Sequence, residues 1–129
     1  MFSDKDEEAP LSIGSVEDYP SIRIVRLRGP INQDTVSEIG RFRKWVEKHR
    51  GFKMKHILID FKSVTRVDTA AVAEIIQEAS ELKTAHYRLG AINLPEIVRG
   101  LLQVLKVEKL IAVYTNESEA LSDLTKKGV

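Results

Sequence analysis

Residues 56–83 read HILIDFKSVTRVDTAAVAEIIQEASELK, and this stretch predicts a buried strand, a loop and a long amphipathic helix. Residues 56–61 are mostly β-branched or aromatic, which is typical of a strand inside a sheet. Asp68 precedes the helix, and its carboxylate can accept hydrogen bonds from the free N–H groups of the first turn. Apolar residues then recur at helical spacing and predict one buried face: Val72, Ile75, Ile76, Ala79 and Leu82.

Strands alternate with helices along the rest of the chain. The hairpin of the first two strands is predicted to be antiparallel, with Gly29 and Pro30 ending the second strand. The order β-β-α-β-α-β-α-β-α predicts an α/β fold with a mixed, largely parallel sheet and about four helices. Before the central stretch, the sequence predicts strands at 10–17 and 22–28 and a helix at 32–50. After it come a strand at 87–93 and a helix with Pro95 in its first turn, which buries Val98, Leu101, Leu102 and Leu105. A continuous apolar strand at 109–115, predicted to be covered on both faces, leads to a last helix that begins with a capping box of Asn116 and Glu119.

Length and composition indicate one domain. The chain has 129 residues, a net charge of +1 and no cysteine, which excludes disulfides and thiolate chemistry. Residues 1–9 are polar and acidic and are expected to form a disordered tail, so that residues 10–127 form the domain. No apolar run reaches the roughly 20 residues of a membrane span. The N-terminus lacks the pattern of a secretory signal, so we expect a cytoplasmic protein.

The search for catalytic chemistry finds no motif. The three histidines, His49, His56 and His86, share no ligand spacing, and we expect the two that lie among lysines and arginines on the solvated surface rather than at a metal. The glycines are isolated and form no phosphate-binding loop. Residues 41–55 are basic, which we interpret as a solvated helix face rather than a nucleic-acid site. The sequence therefore predicts no catalytic residue, no metal and no cofactor.

The central stretch resembles the STAS domain, the fold shared by bacterial anti-sigma factor antagonists and the cytoplasmic tails of sulfate transporters. The family pattern is an apolar strand ending in Asp, a short loop with apolar residues, and Asp followed by Ser or Thr at the start of a helix. Residues 57–60, Val64, Val67, Asp68 and Thr69 match this pattern. The likeness extends to residues 29–35, 92–102 and 110–121, so it covers nearly the whole chain outside the tail.

The resemblance implies a protein that switches partners. Such an antagonist binds an anti-sigma factor that is also a serine/threonine kinase, is phosphorylated by it, and is restored by a PP2C-type phosphatase. By position, Thr69 is then the phosphoacceptor, Asp68 orders the loop, and the partner-binding residues are Asn32, Asp68, Thr69, Ala70 and Val72. A phosphate on Thr69 would also be favoured by the positive end of the helix. Asn32 stands where many antagonists have Asp, and Ala70 and Ala71 stand where small residues and Gly are common.

Two other classes of function remain open. One is a STAS adaptor or scaffold subunit that is not phosphorylated, as in stress-signalling complexes, lipid transport or ligand binding. The other is an enzyme, which the lack of a paired nucleophile and base makes the weaker alternative. None of the three predicts direct nucleic-acid binding.

Overall fold

The computed structural model describes residues 12–18, 21–38, 40–41, 44 and 56–127. The strands are β1 Ser12–Asp18, β2 Ile22–Ile31, β3 His56–Val67, β4 Arg88–Ile92 and β5 Ala112–Tyr114, and the helices are α1 Thr69–Thr84, α2 Glu96–Val104 and α3 Glu117–Lys127, with a short 3₁₀ turn Glu108–Leu110 before β5. Helical residues also lie at 37–38, 40–41 and 44, between β2 and β3. The rest of the predicted helix at 32–50, the predicted acidic tail and His49 lie outside the described residues.

The five strands form one mixed sheet in the order β1-β2-β3-β4-β5. β1 pairs antiparallel with β2, and the other three pairings are parallel. This confirms the predicted fold class, including the hairpin at the start. Because all the parallel strands point the same way and follow in order, right-handed connections place the intervening helices on one face of the sheet.

Two hydrophobic cores cover the two faces of the sheet. On one face α1 and α2 pack against the sheet through side chains such as Val72, Ile75 and Val98. On the other face α3 packs against the sheet, with Leu124 fully buried in the second core. Where β2, β3 and β4 lie side by side, the sheet is therefore covered on both faces, which accounts for the apolar runs in β3 and β4.

β2 and β3 are longer than the sequence predicts. Gly29 does not end β2; it adopts a φ of 103°, which an L side chain rarely reaches, and the strand continues to Ile31. The predicted loop after Phe61 is also a strand, because Ser63–Val67 pairs in parallel with Arg28–Ile31. Two register shifts fit Gly29 and Pro30 into this pairing. β2 and β3 thus extend past the end of β4 as a two-stranded ribbon.

Several other predictions need correction near the edge of the sheet. β5 has only three residues, and Ala112 and Val113 are exposed rather than covered on both faces. Pro95 is the N-cap of α2 rather than a residue of its first turn, and Leu105, predicted to be buried, follows the helix and is 54% exposed. His56 is 1% exposed, because it is the first residue of the central strand rather than part of a basic surface.

α1 follows the predicted pattern closely. It begins at Thr69 after the capping Asp68 and buries Val72, Ile75, Ala79 and Leu82. Ile76, which we also expect to be buried, is half-buried at the edge of this face. At the start of α3 the N–H of Glu119 donates to Asn116 Oδ1 at 2.8 Å, as the predicted capping box requires. The side chain of Glu119 accepts from the N–H of Thr115 at 2.6 Å, one residue before the cap.

Candidate functional site

The candidate site lies where β2 and β3 end side by side. The backbone N–H of Asp68 donates to the carbonyl oxygen of Ile31 at 2.8 Å and ties together the segments that follow the two strands. Between these segments is an open depression of about 400 Å³. Its lining residues are Asn32, Gln33, Asp34, Arg66, Val67 and Asp68. The structure therefore brings together two residues that are far apart in sequence and that the resemblance assigned to one surface, Asn32 and Asp68.

Asp68 caps α1 as predicted. Its backbone is extended, with φ −86° and ψ 125°, and its carboxylate accepts from the N–H of Ala70 at 3.2 Å. Its carbonyl oxygen accepts from the N–H of Ala71 at 2.9 Å. Thr69, the first residue of the helix, is exposed, and α1 has no acidic residue in its first turn. The hydroxyl of Thr69 is thus accessible at the positive end of a helix of 16 residues.

Asn32 has a structural role that its local contacts define. Its side-chain oxygen accepts from the N–H groups of Asp34 and Thr35 at 2.9 and 3.0 Å. The hydroxyl of Thr35 in turn donates to the carbonyl oxygen of Pro30 at 2.8 Å. Asn32 therefore caps the turn after β2 and holds one wall of the depression in shape. An Asp at this position could accept the same bonds, so the amide retains the cap and removes a negative charge.

The remaining predicted site residues differ in accessibility. Ala70 is exposed next to Thr69. Val72 is 2% exposed and packs in the core below α1, so its side chain cannot contact a partner unless the helix moves. Its assignment as a partner-binding residue is therefore corrected: it supports the position of the first turn from inside. The reason is periodicity, because Val72 lies on the same stripe as Ile75 and Ala79.

A polar cluster beside this site was not predicted from the sequence. Asp60, near the middle of β3, is 6% exposed and accepts from Arg26 Nη1 at 2.8 Å through Oδ2. Its Oδ1 accepts from Asn93 Nδ2 and from the N–H of Lys62, both at 2.9 Å. Arg26 also contacts Glu117 at 3.1 Å, at the start of α3. The cluster joins β2, β3, the residue after β4 and the start of α3, near the end of the sheet that carries Thr69.

The charge of Asp60 is stabilised by these contacts. Burial alone would raise the pKa of its carboxyl, because burial penalises the ionised form. The hydrogen bonds from Asn93, from the backbone of Lys62 and from Arg26 outweigh burial and lower the pKa below its usual 3.8. Asp60 is therefore ionised at neutral pH and holds the strands in register.

Neither a metal site nor a membrane segment is found in the described part of the chain. No group of three or more His, Cys, Asp or Glu side chains lies close enough there to hold a metal ion. No helix among the described residues is both long and apolar enough to span a bilayer. The chemistry available at the candidate site is thus that of an exposed hydroxyl beside a carboxylate, at the rim of a polar depression.

The family comparison confirms the resemblance to the STAS domain. Residues 15–120 match the model of the STAS domain, which is most of the chain. The protein belongs to the STAS domain family. No curated protein sequence matches the chain significantly.

Solved structures show the same fold at low sequence identity. An anti-sigma factor antagonist from Mycobacterium paratuberculosis superposes with a TM-score of 0.69 at 16% identity, over 89% of this chain and 94% of that one. The Bacillus cell fate determinant SpoIIAA in its phosphorylated form gives 0.64 at 18% identity, over 85% and 97%. The murine anion transporter Slc26a9 gives 0.67 at 14% identity, over 85% of this chain and 18% of that one. At these identities the likeness establishes the fold, which an anti-sigma factor antagonist and an anion transporter share.

Proposed function

We propose that this protein is an anti-sigma factor antagonist that binds an anti-sigma factor with serine/threonine kinase activity and is switched off by phosphorylation of Thr69. The observation that carries the proposal is the position of Thr69: an exposed hydroxyl on the first residue of α1, directly after the capping Asp68. A STAS antagonist that has a phosphorylated form, SpoIIAA, shares the fold. In this proposal the protein acts in the bacterial cytoplasm as a regulator and not as an enzyme.

The local geometry supports a switch that works by charge. A phosphate on Thr69 adds about −1.5 to −2 charges at neutral pH and would be stabilised by the helix N-terminus. The domain would therefore stay folded. In a closed interface the same phosphate would lie beside the carboxylate of Asp68 and lose its solvent, which costs several kcal/mol unless a cation compensates. In this proposal the unphosphorylated surface binds the kinase, and a PP2C-type phosphatase restores that surface by removing the phosphate.

A second candidate is a STAS adaptor or scaffold subunit that is not phosphorylated. The likeness to Slc26a9 favours it, because there the STAS fold forms part of a much larger transporter chain. In this alternative the depression beside Asn32 and Asp68 still contacts a partner, but the hydroxyl of Thr69 carries no phosphate. The two candidates differ in one measurable property, which is the effect of charge at position 69.

The test begins with affinity capture of the partner from a native cell extract, with and without ATP, followed by mass spectrometry. The captured partner is then titrated calorimetrically against Thr69→Glu and Thr69→Ala. We expect Thr69→Glu to bind at least about tenfold more weakly than wild type, which corresponds to about 1.4 kcal/mol. Thr69→Ala should bind like wild type and accept no phosphate. Both variants should melt near the wild-type temperature.

Thr84→Glu is the matched control. Thr84 is the exposed last residue of α1, about 22 Å from Thr69 along the helix axis. The same substitution there should leave the affinity for the partner unchanged. If Thr69→Glu and Thr84→Glu bind equally well and no phosphate is incorporated with ATP, the adaptor is the better account. Phosphate on Ser63 or Thr65 would instead show that the acceptor is misassigned.

A further inference from the structure

A second cavity lies where the parallel strand β4 begins, at the end of the sheet opposite to Thr69. β5 begins at Ala112, which pairs with Gly90, so Arg88 and Leu89 at the start of β4 have no neighbour in β5. A cavity of about 170 Å³ occupies this gap. It has room for about five water molecules, or for one tetrahedral anion and part of an organic group bonded to that anion.

Three cationic residues from three different elements line this cavity. Lys83 lies in the last turn of α1, Arg88 begins β4, and Lys109 lies in the 3₁₀ turn before β5. Lys83 Nζ donates to the carbonyl oxygen of Lys109 at 3.4 Å, which holds these two residues at the same rim. The other lining residues are Tyr87 and four aliphatic residues, and no carboxylate lines the cavity in the part of the chain that the structure describes.

Two buried donors beside the cavity have no acceptor in the part of the chain that the structure describes. Arg88 Nη1 and the hydroxyl of Tyr87 are both buried without a hydrogen-bond partner among the described residues, and Tyr87 is only 4% exposed. Arg88 Nη2 lies 4.0 Å from Asp123 Oδ2, which is close enough for an ion pair but too far for a hydrogen bond. Buried donors are nearly always paired in folded proteins, because an unpaired one costs free energy. A ligand rich in acceptor oxygens would remove this cost.

We propose that the cavity formed by Lys83, Tyr87, Arg88 and Lys109 binds a tetrahedral oxyanion of the phosphate type, either free or as the terminal group of a small phosphomonoester. The guanidinium supplies the planar donor pair that matches such an oxyanion, and the lysines supply charge. The guanidinium of Arg88 is partly shielded from water, which strengthens its attraction for an anion, while Lys83 and Lys109 are exposed and add positive charge at the rim. Because the site lies at the far end of α1, it does not depend on phosphorylation of Thr69.

Calorimetric titration of the full-length protein with inorganic phosphate tests the proposal. Sodium chloride at matched ionic strength is the reference. We expect a dissociation constant of about 1 mM or tighter, and a higher melting temperature in phosphate than in chloride, because a ligand that binds only the folded state stabilises it. Glycerol 3-phosphate is titrated in parallel. Tighter binding of the ester identifies a phosphomonoester as the ligand, and equal or weaker binding identifies the free anion.

Three variants separate this site from unspecific attraction. Arg88→Gln should weaken phosphate binding at least about tenfold, and Tyr87→Phe, which removes only the hydroxyl, about threefold to tenfold. Without phosphate, Tyr87→Phe should melt no lower than wild type, since it removes an unpaired buried group. Lys62→Gln removes a charge from the exposed ribbon and should have no effect. The proposal is overturned if phosphate binds no better than chloride, or if Arg88→Gln binds phosphate as well as Lys62→Gln does.

Discussion

Asp60 is the residue whose charge contributes most clearly to the stability of the fold. Its pKa is lowered below 3.8, so its ionised form favours the folded state. This contribution is fully present above the pKa of the unfolded chain and is lost as the pH falls through the lower pKa of the folded chain. Asp60→Asn should therefore reduce the free energy of unfolding at neutral pH by about 1–3 kcal/mol, because a neutral amide binds the Arg26 guanidinium less strongly than a carboxylate does. Urea unfolding should show that this difference shrinks as the pH falls below 3.8 and through the lower pKa of the folded chain.

The control for this prediction is Asp34→Asn, at an exposed carboxyl. It should change the unfolding curve little at either pH. A loss of stability for Asp60→Asn that stays the same under acidic conditions would show that shape, not charge, determines the role of this residue.

Two glycines make a second prediction at the residue scale. A Cβ on Gly90 would lie 2.9 Å from Cε2 of Tyr114 and 3.4 Å from Cδ1 of Leu58, so Gly90→Ala forces a buried ring to move. We expect a loss of about 1–3 kcal/mol in thermal or urea unfolding. Gly100, inside α2, has no atom within 4 Å of such a Cβ, so Gly100→Ala should stabilise the protein by about 0.5–1 kcal/mol. Equal effects of the two substitutions would contradict this packing.

The residues of the site differ in how readily they could be found from the sequence. Asp68 and Thr69 form a local pattern, because a cap and the helix it starts are adjacent in the chain. Asp60 meets Arg26 and Asn93 across 34 and 33 residues, so their contacts depend on the order of the strands. A usable signal is present in the sequence, since Asp60 and Asn93 lie at the carboxyl ends of the strands predicted at 56–61 and 87–93.

At the scale of elements, the ribbon of β2 and β3 shows where the hydrophobic pattern misleads. Residues 62–67 alternate poorly and contain Lys62 and Arg66, which is typical of a loop. The structure pairs this segment with β2 but not with β4, so its side chains are mostly exposed and polar residues are tolerated. The error for β5 is the reverse. An apolar sequence suggested a covered strand, but β5 is at the edge and only Tyr114 is buried.

The packing of α1 predicts different costs for two adjacent isoleucines. Ile75 is 6% exposed in the core, while Ile76 is half-buried at its border. Ile75→Ala should cost about 2–5 kcal/mol, because it leaves a cavity beneath the helix. Ile76→Ala should cost less, about 1–2 kcal/mol, since the surface can relax. Urea unfolding of both variants measures the difference, and a larger loss for Ile76→Ala would mean that the helix is rotated from the described position.

At the scale of the whole molecule, the two faces of the sheet depend on different parts of the chain. One face is covered by α1 and α2, and each of these helices connects two strands of the sheet. The chain therefore holds both helices near that face from both ends. The other face depends on α3, which follows the last strand and packs through Ala120 and Leu124. Sequence periodicity predicted α3, but it could not show which face the helix covers, because either face can accept a helix at the end of the chain.

The last prediction concerns removal of α3 by truncation after Thr115. This exposes Ile22, Ile24 and Leu58, each of which is 0% exposed in the complete fold. At about 1.5–3 kcal/mol for each side chain, the loss approaches the 5–15 kcal/mol that stabilises a typical domain. The truncated protein should therefore lose its cooperative thermal transition in circular dichroism and bind a hydrophobic dye. The control removes residues 1–9 instead, a polar and acidic segment that should leave the melting temperature almost unchanged. A cooperative transition of the α3 truncation within a few degrees of the full chain would show that the second core is dispensable, and the stability of the fold would then rest on the α1 and α2 face alone.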